Sequence, residues 1–414
     1  MSYRQTLTNG VRVVGEEISA VRSVSLGIWV YTGSRNETVR SNGISHFLEH
    51  MLFKGTQRYS ARELAEVFDG IGGQVNAFTS KEYTCFYAKV LDQHFAIAAE
   101  TLAEMLLRSS FAPEEIEKEK NVVIEEIRMY EDTPDELVMD VLASQVYGSH
   151  PLGYTILGLE ENLRSFSRQD LGSYVKQRYV PQNVVISIAG NVPVAEVLEK
   201  LEEQFGARVF PARTADPQVV APQFIVGSSV KVKETEQVHL CLATPGLAAG
   251  DSRLYALVLL NNALGSSSSS RLFQEIREER GMAYSVFSFH SSYRDCGMFG
   301  VYAATSPEHV TDTLDLVRKI CEDVAVNGLT EAEIRKGKEQ VKGSMMLSLE
   351  STSSRMSRLG KNELMLGREV SLDESIQGIE QVNVEDVKRV AAAILERPMS
   401  LAAVGPVAGL NLDV

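Results

Sequence analysis

The sequence predicts an α+β protein of two homologous domains, each an antiparallel β-sheet packed with α-helices, related by internal duplication. Three observations predict it. Short alternating apolar stretches are interleaved with long helical stripes. The order of those elements recurs at an offset of about 210 residues. Between the copies, residues from 207 onward carry Pro211, Pro217 and Pro222 and lose any helical period. The expected organisation is therefore a first domain at 1–210, a linker at 211–230 and a second domain at 231–414.

In the first half, Thr8-Asn9-Gly10 signals a turn ahead of a strand at Val11–Val14. From Ser23 to Val30, Val24, Leu26, Ile28 and Val30 alternate with Ser23, Ser25, Gly27 and Trp29, the pattern of a half-buried strand. A helix carrying His46 follows, then a second with Ser60 as its N-cap. Gly70-Ile71-Gly72-Gly73 launches a strand pair through Asn76–Thr79 and Thr84–Val90. Helices near 92–108, 113–131 and 168–179, a buried strand at 183–190 and a helix near 194–205 complete the half. The second half echoes these elements: Val238–Gly246 matches Val24–Gly33, Leu329–Ile334 matches Phe111–Ile116, and Met399–Gly405 matches Val184–Gly190. The run Gly265–Ser270 reads as a mobile loop.

Composition narrows the function. With 44% hydrophobic and 23% charged residues the chain can bury large cores. A net charge of −14 argues against nucleic acid or an anionic membrane as partner. Cys85, Cys241, Cys296 and Cys321 are scattered, which fits reduced thiols rather than a disulfide framework. No apolar run approaches transmembrane length, and Met1–Leu7 is too polar for a signal-peptide core, so the expected location is cytoplasmic.

Chemistry concentrates on Gly43–Thr56. At ~100° per residue, His46, Glu49 and His50 share one helix face while Phe47, Leu48, Met51 and Leu52 take the other. Three polar groups buried without partners would each cost kilocalories, and a metal ion is the partner that suits two imidazoles. His46-x-x-Glu49-His50 is the inverted zincin motif: histidines four apart reach one ion, and Glu49 sits beside it without ligating. On the 113–131 helix, Ile116, Glu119, Val123, Glu126, Ile127 and Tyr130 form one stripe, placing two glutamates inside an apolar arc. Glu126 reads as the third zinc ligand and Glu119 as a carboxylate that orients a histidine. In the second half the equivalents of Glu119 and Glu126 are Gly337 and Ser344, so the metal, one Zn²⁺ per chain, belongs to the first domain.

The stretch His46–Thr56, with Gly33-Ser34-Arg35-x-Glu37 before it and Glu126 in Val123–Ile127 after it, resembles the pitrilysin/insulinase family of zinc peptidases. The size of the chain places it with the branch similar to mitochondrial processing peptidase. The resemblance implies that Asn76, Ala77 and Phe78 lie on a strand that pairs with substrate backbone. It implies that Arg277 and Tyr284, in Arg271–Tyr284, contact substrate from the second domain or a partner chain. It also implies a homodimer enclosing a chamber for unfolded peptides, with Glu49 as general base. The competing class is a catalytically inactive core or partner subunit. Such a chain would lack the set His46, Glu49, His50 and Glu126, all of which stand here.

Overall fold

The computed structural model describes residues 2–206 and 220–407. The first half runs β1 (Ser2–Thr6), β2 (Arg12–Glu17), β3 (Ser23–Val30), α1 (Ile44–Met51), α2 (Ala61–Gly70), β4 (Gln74–Thr79) and β5 (Thr84–Leu91). Then come α3 (Phe95–Arg108), α4 (Pro113–Glu131), α5 (Pro134–Tyr147), α6 (Glu160–Ser165), α7 (Arg168–Arg178), β6 (Val184–Gly190) and α8 (Val194–Leu201). The second half runs β7 (Ser228–Val232), β8 (Val238–Pro245), α9 (Leu254–Asn261), β9 (Ala283–Ser292), β10 (Gly297–Thr305) and α10 (Val310–Asn327). It closes with α11 (Glu331–Ser348), α12 (Thr352–Leu366), α13 (Leu372–Gln381), α14 (Val384–Leu395) and β11 (Ser400–Gly405).

The chain divides into two compact units that do not coincide with its two halves. The first comprises Met1–Ile127, Thr155–Val219 and Ser348–Val370; the second comprises Arg128–Tyr154, Val220–Leu347 and Ser371–Val414. Residues 211–219 of the expected linker lie outside the described residues, and 220–227 are without helix or strand.

In the first unit the sheet order is β1-β2-β6-β3-β5-β4. Every neighbouring pair is antiparallel except β2 and β6, which the intervening helices join as a long crossover. One face carries Val24, Leu26, Ile28 and Val30 into a core with Phe47, Leu48, Met51 and Leu102. The half-buried expectation for β3 fails on the other face: Ser25 and Trp29 are as buried as their neighbours. The cause is α12, whose sequence lies far away in the second half. Its Thr352 meets Ser25 Oγ at 2.9 Å, and its Met356 joins Trp29, Val14 and Val185 in a second apolar cluster. Trp29 Nε1 donates to Ser187 Oγ at 2.8 Å, so no polar atom of the indole is stranded. A Cβ on Gly27 would stand 2.3 Å from Met356 Sδ and 2.9 Å from Trp29 Nε1, so glycine there lets the α12 side chain pack close to the strand.

In the second unit the order is β7-β11-β8-β10-β9, again antiparallel but for one parallel pair, β7 and β11. This is the first sheet without β1, as duplication requires. One face packs on Leu257, Leu260, Val317 and Val390, and α5 covers the other with Leu137, Val138, Leu142 and Val146. Thr352 follows Pro134 at the same distance as Ile334 follows Ile116, so α5 and α12 are equivalent helices of the repeat. Each serves the sheet built from the opposite half. The Gly265–Ser270 run, expected as a loop, instead begins in a wide helical turn at Asn262–Ser266. Gly265 admits the β9 backbone there, since a Cβ would meet Ser288 N at 2.2 Å.

Candidate metal centre

Helix α1 starts under unusual constraint. Gly43 adopts φ 99° against Leu157 and Gly158, a conformation and a gap that suit only glycine. Glycine offers no side-chain cap, and Glu37 supplies one from six residues upstream. Its carboxylate accepts from Gly43 N and Ser45 N, both at 2.8 Å, and from Asn42 Nδ2 at 3.0 Å. Glu37 is buried, and desolvation raises its carboxyl, an effect these bonds offset only in part. Beside it Arg35 and Glu82 form a buried pair at 2.7 Å. At the second helix Ser60 caps α2 as expected, and Glu63 reaches back to the Ser60 amide.

With its N-terminus fixed, α1 buries Ile44, Phe47, Leu48 and Met51 in the core and turns its polar residues toward α4. His46 Nε2 lies 3.8 Å from Glu126 Oε1, and His50 Nε2 lies 3.4 Å from Glu126 Oε2. The donor atoms of His46, His50 and Glu126 all fall within 4.8 Å of one another. Among the described residues this is the group of histidine and carboxylate side chains placed to hold a metal. The spacing fits zinc, since ligands about 2.0–2.1 Å from a tetrahedral ion stand roughly 3.4 Å apart. The electrostatics fit as well. Burial lowers His46 to about 4, so its imidazole is the neutral, ligating form. Burial opposes charge on His50, but Glu119 and Glu126 outweigh it and lift the ring to about 9. A field strong enough to hold that proton also favours a divalent cation in its place.

Around this cluster, Glu119 Oε1 meets His50 Nδ1 at 2.8 Å, and Lys54 Nζ meets the other Glu119 oxygen at 2.8 Å. Glu49 is partly buried, which raises its carboxyl, and Thr79 Oγ1 donates to its Oε2 at 2.5 Å. Of the four glutamates off the α4 stripe, which the sequence reads as a solvated face, Glu114, Glu117 and Glu125 are exposed, while Glu115 is half-buried and pairs with Lys118 at 2.6 Å. Asn76, Ala77 and Phe78 lie on β4, the edge strand of the first sheet. Asn76 also borders a pocket of about 480 Å³ that touches Glu49 and His50 and is walled by Phe53, Leu64, Phe68 and Met105. Arg277 and Tyr284 belong to the second unit, where the guanidinium lies 4.8 Å from the Tyr284 ring and 4.7 Å from that of Phe273. Tyr284 is 74% exposed. His150, also in the second unit, commits both ring nitrogens to backbone: Nδ1 to Leu152 N and Nε2 to Val220 O.

Lys54 and Thr79 are the residues that sequence reasoning passes over. The signal for Lys54 was its place four residues after His50. For Thr79 it was the β4 alternation, which puts Val75, Ala77 and Thr79 on one side of the strand.

Residues 12–160 match the family model described as insulinase (peptidase family M16), and residues 165–341 match the one described as peptidase M16 inactive domain. The chain belongs to peptidase family M16. This M16 chain is 50% identical over 406 residues to an uncharacterized zinc protease of Bacillus subtilis, covering 98% of each. It is 33% identical to a probable mitochondrial-processing peptidase subunit beta of Arabidopsis thaliana, covering 98% of this chain and 78% of that one. A crystal structure of a protease from Helicobacter pylori superposes with a TM-score of 0.93 at 23% identity, covering 98% of this chain and 99% of that one, and shares its fold. The M16 assignment agrees with the resemblance drawn from the His46–Thr56 stretch. The two-domain fold agrees with the duplication.

Proposed function

We propose that this M16 chain is a zinc-dependent endopeptidase acting on unfolded peptides and oligopeptides. One observation carries the reading: His46, His50 and Glu126 converge, with Glu49 beside them on the same helix and outside the ligand set. When bound, one zinc ion per chain supplies Lewis acidity toward a scissile carbonyl and a water. His46 and His50 hold the ion from α1 and Glu126 from α4, while Glu119 fixes the tautomer of His50 through Nδ1. Glu49 acts as general base on the attacking water and returns that proton to the leaving amine; its raised carboxyl suits both tasks.

The edge of β4 offers unpaired backbone to an extended peptide, so Asn76, Ala77 and Phe78 bind substrate by strand addition. The adjoining pocket takes an apolar side chain near the scissile bond. Arg277 and Tyr284 contribute substrate contacts from the second domain or from a partner chain. Two copies assemble as a homodimer whose enclosure excludes folded proteins; a relative named as a subunit supports a paired assembly. The protein works in the cytoplasm. Among the described residues no helix is long and apolar enough to cross a membrane.

The test is one purification carried through two assays. Metal analysis is expected to give one zinc per chain, and a quenched fluorescent peptide is expected to be cut internally with chelator-sensitive kinetics. Glu49→Gln keeps zinc and loses turnover, and Glu126→Gln loses zinc. Full activity in Glu49→Gln refutes the mechanism. Absence of any cleavage by the zinc-loaded protein favours the non-catalytic subunit.

A further inference from the structure

Behind Glu49 stand hydroxyl groups that the proposed reaction does not consume. Thr79 Oγ1 lies 2.5 Å from Glu49 Oε2 and 3.4 Å from Thr84 Oγ1. Thr84 is fully buried and donates its hydrogen to the Thr32 carbonyl at 3.0 Å. With that hydrogen committed, Thr84 has none to offer Thr79. The Thr79 hydrogen has two acceptors in reach, a carboxylate at 2.5 Å and a hydroxyl at 3.4 Å, and the shorter, charge-assisted bond is the stronger. Thr79 is therefore the donor and Glu49 the acceptor. The direction is set by the carboxylate, which when ionised can only accept, while the Thr84 hydroxyl is the weaker, more distant competitor.

The bond occupies one oxygen of Glu49. Its partner Oε1 accepts no hydrogen bond among the described residues. A glutamate side chain loses rotamer freedom when it is immobilised, and a fixed donor bears part of that cost before substrate arrives. Thr79 also directly follows Phe78 on β4, so the strand proposed to align substrate carries the group that aligns the base.

We propose that Thr79 is a positioning residue for the general base, its hydroxyl pinning Oε2 of Glu49 and leaving Oε1 to exchange the proton. The proposal rests on the peptidase reading of Glu49. Its chemistry is hydrogen bonding alone, and Thr79 neither gains nor loses a proton over the cycle.

Thr79→Val keeps the shape and removes the donor; Thr79→Ser keeps the donor. With the zinc-loaded protein and a quenched fluorescent peptide, Thr79→Val is expected to lower kcat by about 30-fold or more, as misplacement of a catalytic group does. KM stays within about threefold and zinc stays at one per chain, because neither substrate pairing nor the ligands change. Thr79→Ser recovers kcat to within about threefold of wild type. In a Glu49→Gln background, measured by single turnover, Thr79→Val costs nothing further, since coupled residues are non-additive. A readout without turnover accompanies these. Crystal structures are expected to show the Glu49 carboxylate displaced or split in Thr79→Val and unmoved in Thr79→Ser. If Thr79→Val does not fold, Thr79→Ala carries the same expectations. Wild-type kcat in Thr79→Val, an undisplaced Glu49, or a loss that multiplies with Glu49→Gln overturns the proposal. If wild-type protein shows no chelator-sensitive cleavage, the peptidase reading itself has failed, and the positioning role falls with it. That outcome differs from an active wild type with an indifferent Thr79.

Discussion

Removal of Glu37 offers a test of how the motif helix is held. Glu37→Ala deletes an acceptor that serves Gly43 N, Ser45 N and Asn42 Nδ2 in a site almost closed to water. Each buried donor left unsatisfied costs about 1–3 kcal/mol, and an anion at a helix N-terminus adds about 0.3–1 kcal/mol or more. These terms overlap, because Asn42 also donates to the Thr155 carbonyl and retains that bond. A net local loss of about 3 kcal/mol follows for the first turn of α1, and at about 1.4 kcal/mol per decade this is a change on the order of 100-fold in its opening equilibrium. Native-state hydrogen exchange reads that quantity directly, since local opening sets the protection of the Gly43 and Ser45 amides. Protection of peptides covering 40–48 is expected to fall by about two decades in Glu37→Ala. Glu37→Gln, which keeps an acceptor but not the charge, loses about one decade. His46 lies one residue past Ser45, so zinc affinity falls with the fraying. Protection within about threefold of wild type in Glu37→Ala would falsify the capping role.

Lys54→Met removes the ammonium at 2.8 Å from Glu119 and frees the carboxylate that orients His50; zinc affinity by chelator competition is expected to fall about 10-fold, and unchanged affinity refutes it. Met356→Ala opens a void beside Trp29 at a site 1% exposed; the unfolding transition is expected to be destabilised by about 2–5 kcal/mol, and a shift under about 0.5 kcal/mol would show that α12 does not hold the sheet. Burial opposes charge on Glu333, but hydrogen bonds from Arg271 and Thr330 outweigh it and bring the carboxyl from 4.5 to about 2. A depressed folded pKa contributes stability above the unfolded value and loses it as pH falls toward the folded one. Wild-type melting temperature is thus expected to drop more than that of Glu333→Gln between pH 5 and pH 2. Equal drops would exclude the pair as an acid-sensitive element.

How far the site could be read from residues alone depended on whether its logic was local. His46, Glu49 and His50 announce a shared face because helical spacing fixes it, and Glu126 stands out because a carboxylate in an apolar stripe needs a reason. Lys54 obeys the same spacing, yet a lysine after a helix ordinarily faces solvent, and nothing local distinguishes this one. Glu37 and Thr79 are harder. A cap six residues upstream and a hydroxyl on another element exist only after the chain has folded back. The fold divides in the same way. The alternation in β3 shows which side chains share a face, and it predicted the Val24–Val30 face. It is silent on whether the other face meets water or a helix from beyond residue 350. Periodicity found the repeat but not the exchange of α5 and α12 between its copies.

That exchange has a consequence for how the protein comes into being. The first sheet is complete in sequence once β6 ends at Gly190, but the face bearing Trp29 has no cover until α12 ends at Leu366. At ~5–20 residues per second the ribosome takes roughly 10–35 s to make the intervening chain. A first half that folds within that interval exposes an indole, Val14 and Val185 on an open sheet until the helix arrives. Completion of the first unit therefore waits for a helix encoded in the second half of the chain.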